Sequence, residues 1–386
     1  MDRADVLVIG ASPAGMACTL ECARLGLATV LVDSKRPDYV PSPANTVFEA
    51  MAKKAHMPLE PHLVRRWLKG MVIRSPSGRG IRVDARGCVL HRDRLDAHYI
   101  EEAERRGARV LWQHRAERLV VSDGIVEGAV VNGEPMRAAI TVVACGVDCG
   151  LARLAGISPM RHPHDLAWAL EAHVVGEGVG EPEYFEYTVG SVAPGWKATY
   201  TPLGGDEATI GVYVRRHGRD VSAFFERHLT RFEAEHGPVR VLSVAKGADP
   251  VATLPHELVC GGLMVCGGVC GQSGIAYGIR AGTLAAQTAA EALDKGDVSA
   301  AMLRAYVRRW RRELWWEHVV GRLSLEMLRR MRDEEIDALV AALEDYDTSR
   351  LRGHPLLKLA GVGMHVVRKS PLLALTLLRK ISQGMT

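Results

Sequence analysis

The stretch DVLVIGASPAGMACTLECARLGLATVLVDSK, residues 5–35, restricts the fold more than any other part of the chain. Residues 5–9 are a short apolar run suited to a buried strand. Gly10-Ala11-Ser12-Pro13-Ala14-Gly15 is a tight turn. Residues 16–25 carry helical periodicity, and Gly26 is placed to cap that helix at its C-terminus. Residues 28–32 form a second apolar strand, which ends in Asp33. This is the β-α-β unit in which N–H groups at a helix N-terminus receive a pyrophosphate. Asp33 follows the turn by about twenty residues, where a carboxylate accepts from a ribose hydroxyl. Ser12 holds the second glycine position of G-x-G-x-x-G; it is small, and its hydroxyl adds a donor for a phosphate. A lone G-x-G-x-x-G says little, but strand, turn, helix, strand and terminal acid agree here, and together they predict nucleotide binding.

The chain has 386 residues, enough for a large core and about two domains. Its net charge of +4 and its lack of aromatic-interleaved basic motifs exclude nucleic acid as a partner. No apolar run reaches the roughly 18 residues of a spanning helix. The chain runs from Met1-Asp2-Arg3 almost directly into a strand, so a cytoplasmic location is expected. None of the eight cysteines forms a C-x-x-C pair, which argues against zinc and iron–sulfur centres. Most read as small buried apolar residues. Cys266 and Cys270 flank a glycine-dense turn in LMVCGGVCGQSGIAYGIRAG, residues 263–282, and are the two worth testing for a redox role. The histidines show no ligand spacing.

Further along, Arg92-x-x-Leu95-Asp96 opens an amphipathic helix with Leu95, Tyr99 and Ala103 on one face, followed by a strand. Residues 116–144 read as a β-meander returning to a buried strand, with a glycine turn at Gly146. GGDEAT, residues 204–209, is a hairpin turn between two strands.

These motifs, in this order, resemble the geranylgeranyl reductase family, which includes archaeal digeranylgeranylglycerophospholipid reductases. The likeness spans residues 5–293 and is strongest in GASPAG, the R-x-x-L-D motif, ACGVDCGLARLAGI and the stretch 263–282. It implies an α/β protein: a glutathione-reductase-type FAD-binding Rossmann fold of the p-hydroxybenzoate-hydroxylase-like kind. An antiparallel-sheet substrate domain and a helical C-terminal region complete it. The implied divisions are 1–160 (with 41–90 partly on the substrate side) and 256–295 for FAD, 161–255 for substrate, and 296–386 for the helical region. The implied FAD contacts are Gly10 to Gly15, Asp33, Ser34, Arg92 at the ribityl–pyrophosphate region, Leu119 or Val120 offering backbone to adenine, and Gly146 near the pyrophosphate. Gly267, Gly268, Gly274 and Ile275 belong to a turn facing the flavin. A surface salt bridge with Asp96 is the plainer role for Arg92.

Two departures stand out. Gly267 occupies the position of the family's Asp, which accepts from a ribityl hydroxyl, and the loop after it is shorter. One lost hydrogen bond, about 0.5–1.5 kcal/mol, does not abolish FAD binding, and Gly267→Asp is expected to be tolerated. The family's Cys-Gly-Glu is also absent from residues 39–48, leaving Cys266 or Cys270 as the thiols that could replace it.

On the substrate side, Trp196, Tyr200 and Pro202 keep part of the family's aromatic strand and suit a long hydrocarbon; ordinary core is the alternative. Tyr200 is also a candidate proton donor. Residues 302–332 read as a helix pair, within which Arg308 to Arg312 could meet phosphates. Residues 351–386 hold six Lys/Arg and no Asp or Glu, interleaved with apolar runs. They suit an interfacial helix on anionic lipid, or a basic helix packed on protein. The implied activity is FAD-dependent reduction of C=C bonds in an isoprenoid lipid or prenyl diphosphate, with electrons from NADPH or a ferredoxin and peripheral contact with the cytoplasmic membrane face. An aromatic monooxygenase on the same fold, or a flavin-less lipid-binding protein, are the competing readings.

Overall fold

A computed structural model describes residues 4–39, 44–351 and 353–382. Residues 40–43, part of the region where the family's cysteine was sought, lie outside the described residues, as do 383–386 of the tail.

The N-terminal prediction becomes a parallel sheet. Strand Ala4–Ile9 lies between Thr29–Asp33 and Glu134–Val143, all parallel, with Arg109–Trp112 and Leu263–Val265 extending the two sides. These strands are nearly continuous apolar runs because both faces are covered; Val6, Leu7, Val8, Ile140 and Val142 are fully buried. Helix Pro13–Arg24 follows the glycine turn, with Ser12 as its N-cap and Gly26 just past its end at a φ of 77°. It packs against helix Ile275–Asp294 through small residues. A methyl group on Gly282 would lie 2.0 Å from the Ala14 carbonyl oxygen, so the two backbones touch at that point.

A second sheet has seven strands in the order Arg240–Asp249, Ala167–Val175, Glu207–Arg215, Lys197–Gly204, Tyr184–Thr188, Gly70–Arg74 and Gly80–Val83. All its pairings are antiparallel except Tyr184–Thr188 with Gly70–Arg74. Alternation divides its residues cleanly. Leu170, Ala172, Ile210, Val212 and Tyr200 form a core with Phe225 and Phe232 of helix Ser222–His236. Glu171, Tyr213 and Lys197 have the opposite parity.

Residues 302–332 contain one helix rather than a pair. Ala300–Arg330 runs unbroken for 31 residues, since only Gly321 interrupts its helix formers and one glycine costs about 1 kcal/mol. Its first half buries Leu303, Tyr306, Trp310 and Leu314 in the core of the first sheet. Within the run 308–312, Trp310 is buried and Arg309 is engaged with Thr288 and Glu291, while Arg308, Arg311 and Arg312 are exposed. Its second half reaches the other sheet. There Arg215, with no exposed side-chain surface, pairs with Asp165 at 2.8 Å and Glu326 at 2.5 Å. Helices Asp333–Leu343, Pro355–Lys369 and Pro371–Ser382 complete the C-terminal region.

Candidate functional site

Three glycine turns converge at the C-terminal edge of the parallel sheet. Gly10 has a φ of 103°, and a methyl group there would lie 2.7 Å from the Ala144 carbonyl oxygen. One on Gly15 would lie 1.9 Å from the Gly10 carbonyl oxygen. One on Gly267 would meet Ala14 Cβ at 2.8 Å with Ser12 Oγ at 3.9 Å, and one on Gly268 would meet the Gly146 carbonyl oxygen at 3.0 Å. The turns at residues 10–15, 146 and 267–268 therefore form one glycine-lined cradle around the start of helix Pro13–Arg24. Ser12 Oγ accepts from the Gly15 N–H at 3.3 Å, which leaves its own hydroxyl proton to donate.

Asp33 is buried and already engaged. It accepts from the Ala11 N–H at 2.5 Å and the Lys35 N–H at 2.8 Å, and Lys35 Nζ lies 3.5 Å away. A carboxylate has about four acceptor positions, so one remains for a hydroxyl. Ser34 beside it is exposed. Arg92 does pair with Asp96, at 3.3 Å, but the pair is buried rather than on the surface, with side-chain exposures of 11% and 7%. Tyr39 also donates to Asp96, at 2.7 Å. The Arg92 Nε–H is buried without a partner. An orphaned donor costs about 1–3 kcal/mol, so this corner is built for an acceptor supplied by a ligand. Val120 falls at a shift between the Leu119–Ala129 and Val121–Val126 pairs, outside the ladder register, while the Leu119 side chain is core.

The stretch 263–282 is a strand, a 3₁₀ turn over Gly267–Cys270, and the helix that begins at Ile275 with exposed Gly274 as N-cap. The two cysteines are not redox candidates. All eight cysteines are free, and Cys266 and Cys270 are fully buried in the core. Burial pushes Cys266 up to about 12 and Cys270 well above the ordinary thiol range, so neither is a thiolate. Cys270 Sγ instead reaches the Gly267 carbonyl oxygen at 3.3 Å. The position of Gly267 does not welcome an aspartate either. Its φ of 82° strains any side chain, and its Cβ direction is blocked by Ala14. The sequence reading missed Gln272. Its buried Oε1 accepts from the Gly267 N–H at 2.7 Å and its amide meets Tyr306 Oη at 3.0 Å, tying the turn to the long helix. A lone amide inside a glycine turn was the available signal.

Tyr200 is misplaced as a substrate or proton-donor residue. It points at helix Ser222–His236, with its ring 4.9 Å from Phe232 and its hydroxyl 2.6 Å from the Val179 carbonyl oxygen. Pro202 shares its parity on the strand and is buried. The shift follows from period two: one residue exchanges faces. Trp196 lies instead with Tyr213, rings 4.9 Å apart, beside Lys197.

That face carries chemistry. Tyr213 donates to Glu171 at 2.9 Å, and both are buried. Asp249 accepts from Ser273, the residue before Gly274. Glu171, Tyr213, Asp249 and Ala44 line a cavity of about 80 Å³. Ala44 accepts from Arg92 at 2.8 Å, which joins this cavity to the cradle. A far larger apolar cavity, about 930 Å³, lies between the sheet edge and the C-terminal helices, walled by Tyr187, Val189, Gly321, Met327, Leu339 and Val366.

Sheet order, cradle and second sheet together define an FAD-dependent oxidoreductase of the Rossmann type. The cradle, the free Ser12 hydroxyl and the orphaned Arg92 donor fit that cofactor. The description Lycopene cyclase protein matches residues 5–174. Digeranylgeranylglycerophospholipid reductase 1 of Methanothermobacter thermautotrophicus is 30% identical over 92% of this chain and 94% of its own length. The reductase of the same name from Methanosarcina mazei is 29% identical over 91% of each. Among solved structures, a geranylgeranyl bacteriochlorophyll reductase-like protein from Thermoplasma acidophilum superposes with a TM-score of 0.86 at 23% identity, covering 98% of this chain and 100% of the other. The flavin-dependent brominase Bmp2 has a TM-score of 0.72 at 14% identity and coverage of 99% of each, and shares the fold. The chain belongs to the geranylgeranyl reductase family, with the digeranylgeranylglycerophospholipid reductases as its relatives.

Proposed function

We propose that the protein hydrogenates carbon–carbon double bonds in geranylgeranyl chains of a glycerophospholipid or prenyl diphosphate. The large apolar cavity carries this reading. It is several times too roomy for a phenol, its wall is hydrocarbon, and Tyr187 belongs both to it and to the surroundings of Lys197. Residues 1–160 and 256–295 hold FAD, 161–255 with part of 41–90 cover the reacting bond, and 296–386 enclose the chain. Bound and reduced FAD supplies a hydride, with NADPH or a ferredoxin as the electron source. The protein's share is to hold the chain, exclude water and place a proton. The test is dithionite-reduced protein with a digeranylgeranylglycerol phospholipid, followed by mass spectrometry. Two hydrogens gained per double bond are expected. Unchanged lipid, together with NADPH-driven oxygen uptake on a phenol, would select the monooxygenase reading.

The same helices face outward with Leu357, Leu372 and Leu375 exposed, while the exposed Met364, Val367 and Leu378 line the cavity. No helix among the described residues is long and apolar enough to cross a membrane. We read this ridge as lying on an anionic bilayer at the cytoplasmic face. Its cations are fewer than the composition suggests, because Lys369 pairs with Asp345 and Lys380 with Glu335. Apolar contact therefore carries more of the binding. Leu357→Gln combined with Leu372→Gln should reduce co-sedimentation with anionic liposomes while sparing the fold; unchanged sedimentation removes the idea.

A further inference from the structure

Lys197 is held unusually. Its ammonium lies 4.7 Å from the ring centroid of Trp196, 5.2 Å from Phe185, 5.2 Å from Tyr213 and 5.7 Å from Tyr187. Among the described residues it forms no hydrogen bond or ion pair, so its three N–H donors are free for water or a ligand in a half-buried site ringed by aromatic faces. Acids come from one side of the sheet, where Ala167–Val175 lies two strands from the Lys197 strand and Arg240–Asp249 lies three. Glu171 of Ala167–Val175 accepts from Tyr213 of Glu207–Arg215, and Asp249 ends Arg240–Asp249 against Ser273 of the flavin-side turn. Tyr187 links the site to the apolar cavity, and Ser273 links it to the N-cap at Gly274. Lys197 thus stands between the space for a hydrocarbon chain and the cofactor cradle.

We propose that the Lys197 ammonium is the proton donor in alkene reduction, with Glu171 and Asp249 as the acids that restore its proton. This rests on the reading of the protein as an isoprenoid reductase. An unactivated alkene has no carbonyl to draw electrons, so positive charge must develop on one of its carbons. The alkene π pair forms a new C–H bond with a Lys197 proton, and the N–H pair stays on Nζ. The neighbouring carbon receives the hydride that the reduced cofactor provides, and the cofactor is oxidised by two electrons. The four aromatic faces that attract the ammonium equally attract the cation that replaces it. Burial lowers Lys197 from its ordinary value and raises Glu171, Asp249 and Tyr213, so every shift runs toward the uncharged forms between which protons move.

Lys197→Met and Lys197→Arg test the step in FAD-loaded protein. Arginine keeps the charge and the ring contacts but does not release its proton. Both variants should retain flavin and bind a digeranylgeranylglycerol phospholipid as wild type does. Both should lose at least about 100-fold in the rate at which that lipid reoxidises dithionite-reduced protein. The wild-type rate should fall as pH rises through the lowered Lys197 value, and the residual rate of the arginine variant should lack that limb. Arginine activity within threefold of wild type would show that charge alone matters, and weakened lipid affinity with an unchanged rate would show a headgroup contact; either overturns the proposal. A further measurement needs no turnover. In [ε-¹³C]lysine-labelled oxidised protein, the signal missing from Lys197→Arg should shift when the lipid is added. An unmoved signal overturns the placement even if wild-type protein reduces the lipid. Wild-type protein that binds the lipid, moves the signal and reduces nothing would instead overturn the reading of function.

Discussion

Gly321 offers a clean test of the apolar cavity, because one substitution there acts oppositely on folding and binding. It lies inside helix Ala300–Arg330, lines the cavity, and has nothing within 4 Å of the position its Cβ would take. Gly321→Leu therefore adds four carbons to open space. In the helix, replacing glycine by leucine gains up to about 1 kcal/mol. In the cavity, those four carbons take the place of roughly four methylenes of bound chain, each worth about 0.8 kcal/mol, or about 3 kcal/mol in all. That is roughly a 150-fold loss in affinity if the chain cannot move aside. The assay is titration of oxidised, flavin-loaded protein with geranylgeranyl and geranyl lipids, read by perturbation of the flavin spectrum, beside a thermal melt. Geranylgeranyl binding should weaken steeply, geranyl binding much less, and the melting temperature should hold or rise. Undiminished geranylgeranyl affinity in a well-folded variant would refute the assignment of this cavity to the chain.

Three further outcomes follow from the geometry. Gly282→Val should separate helix Ile275–Asp294 from the glycine turn, since its Cβ would sit 2.0 Å from the Ala14 carbonyl oxygen; flavin content after purification should fall to near zero. Gly267→Asp should weaken FAD retention rather than restore it, because the φ of 82° and the 2.8 Å approach to Ala14 oppose any side chain; flavin release during urea unfolding measures this. Burial alone would raise the Asp165 carboxyl, but hydrogen bonds from Arg216 and Arg215 outweigh it and hold it at about 2. Its folded value lies below its unfolded one, so the network stabilises fully above the ordinary carboxylate range and fades as pH falls from about 4 toward about 2. Asp165→Asn should cost about 3–5 kcal/mol at neutral pH and flatten that acid limb in denaturant titrations.

The opening β-α-β unit was legible because each of its parts has a local cause: apolar strands, a turn needing small residues, a helix start, a terminal acid. The hairpin at residues 204–209 was legible for the same reason. The face of the second sheet was not. Whether Tyr200 or Lys197 looks toward the cofactor depends on register, and register is fixed by helix Ser222–His236 packing on one side. The same holds for Asp33. Sequence spacing identified the acid, yet its bond to the Ala11 N–H arises only when the two strands lie parallel in register. Burial of Cys266 and Cys270 likewise comes from elements distant in the chain, with helix Pro13–Arg24 and the long helix closing over the turn.

The unbroken helix Ala300–Arg330 has a consequence for how such a chain can vary. Tyr306 on its first half holds Gln272 of the flavin-side turn, while Glu326 and Met327 on its second half hold Arg215 and the cavity wall. Each residue advances an α-helix by about 100°. Inserting a single residue near Trp315 would leave the first half seated, carry Glu326 to the cavity position of Met327 and bring Leu325 in its place beside Arg215. A fixed phase between the two ends forbids drift in length. Changes in the size of lipid accepted must therefore come from side-chain volume along one stripe of this rod, at positions such as Gly321 and Ser324.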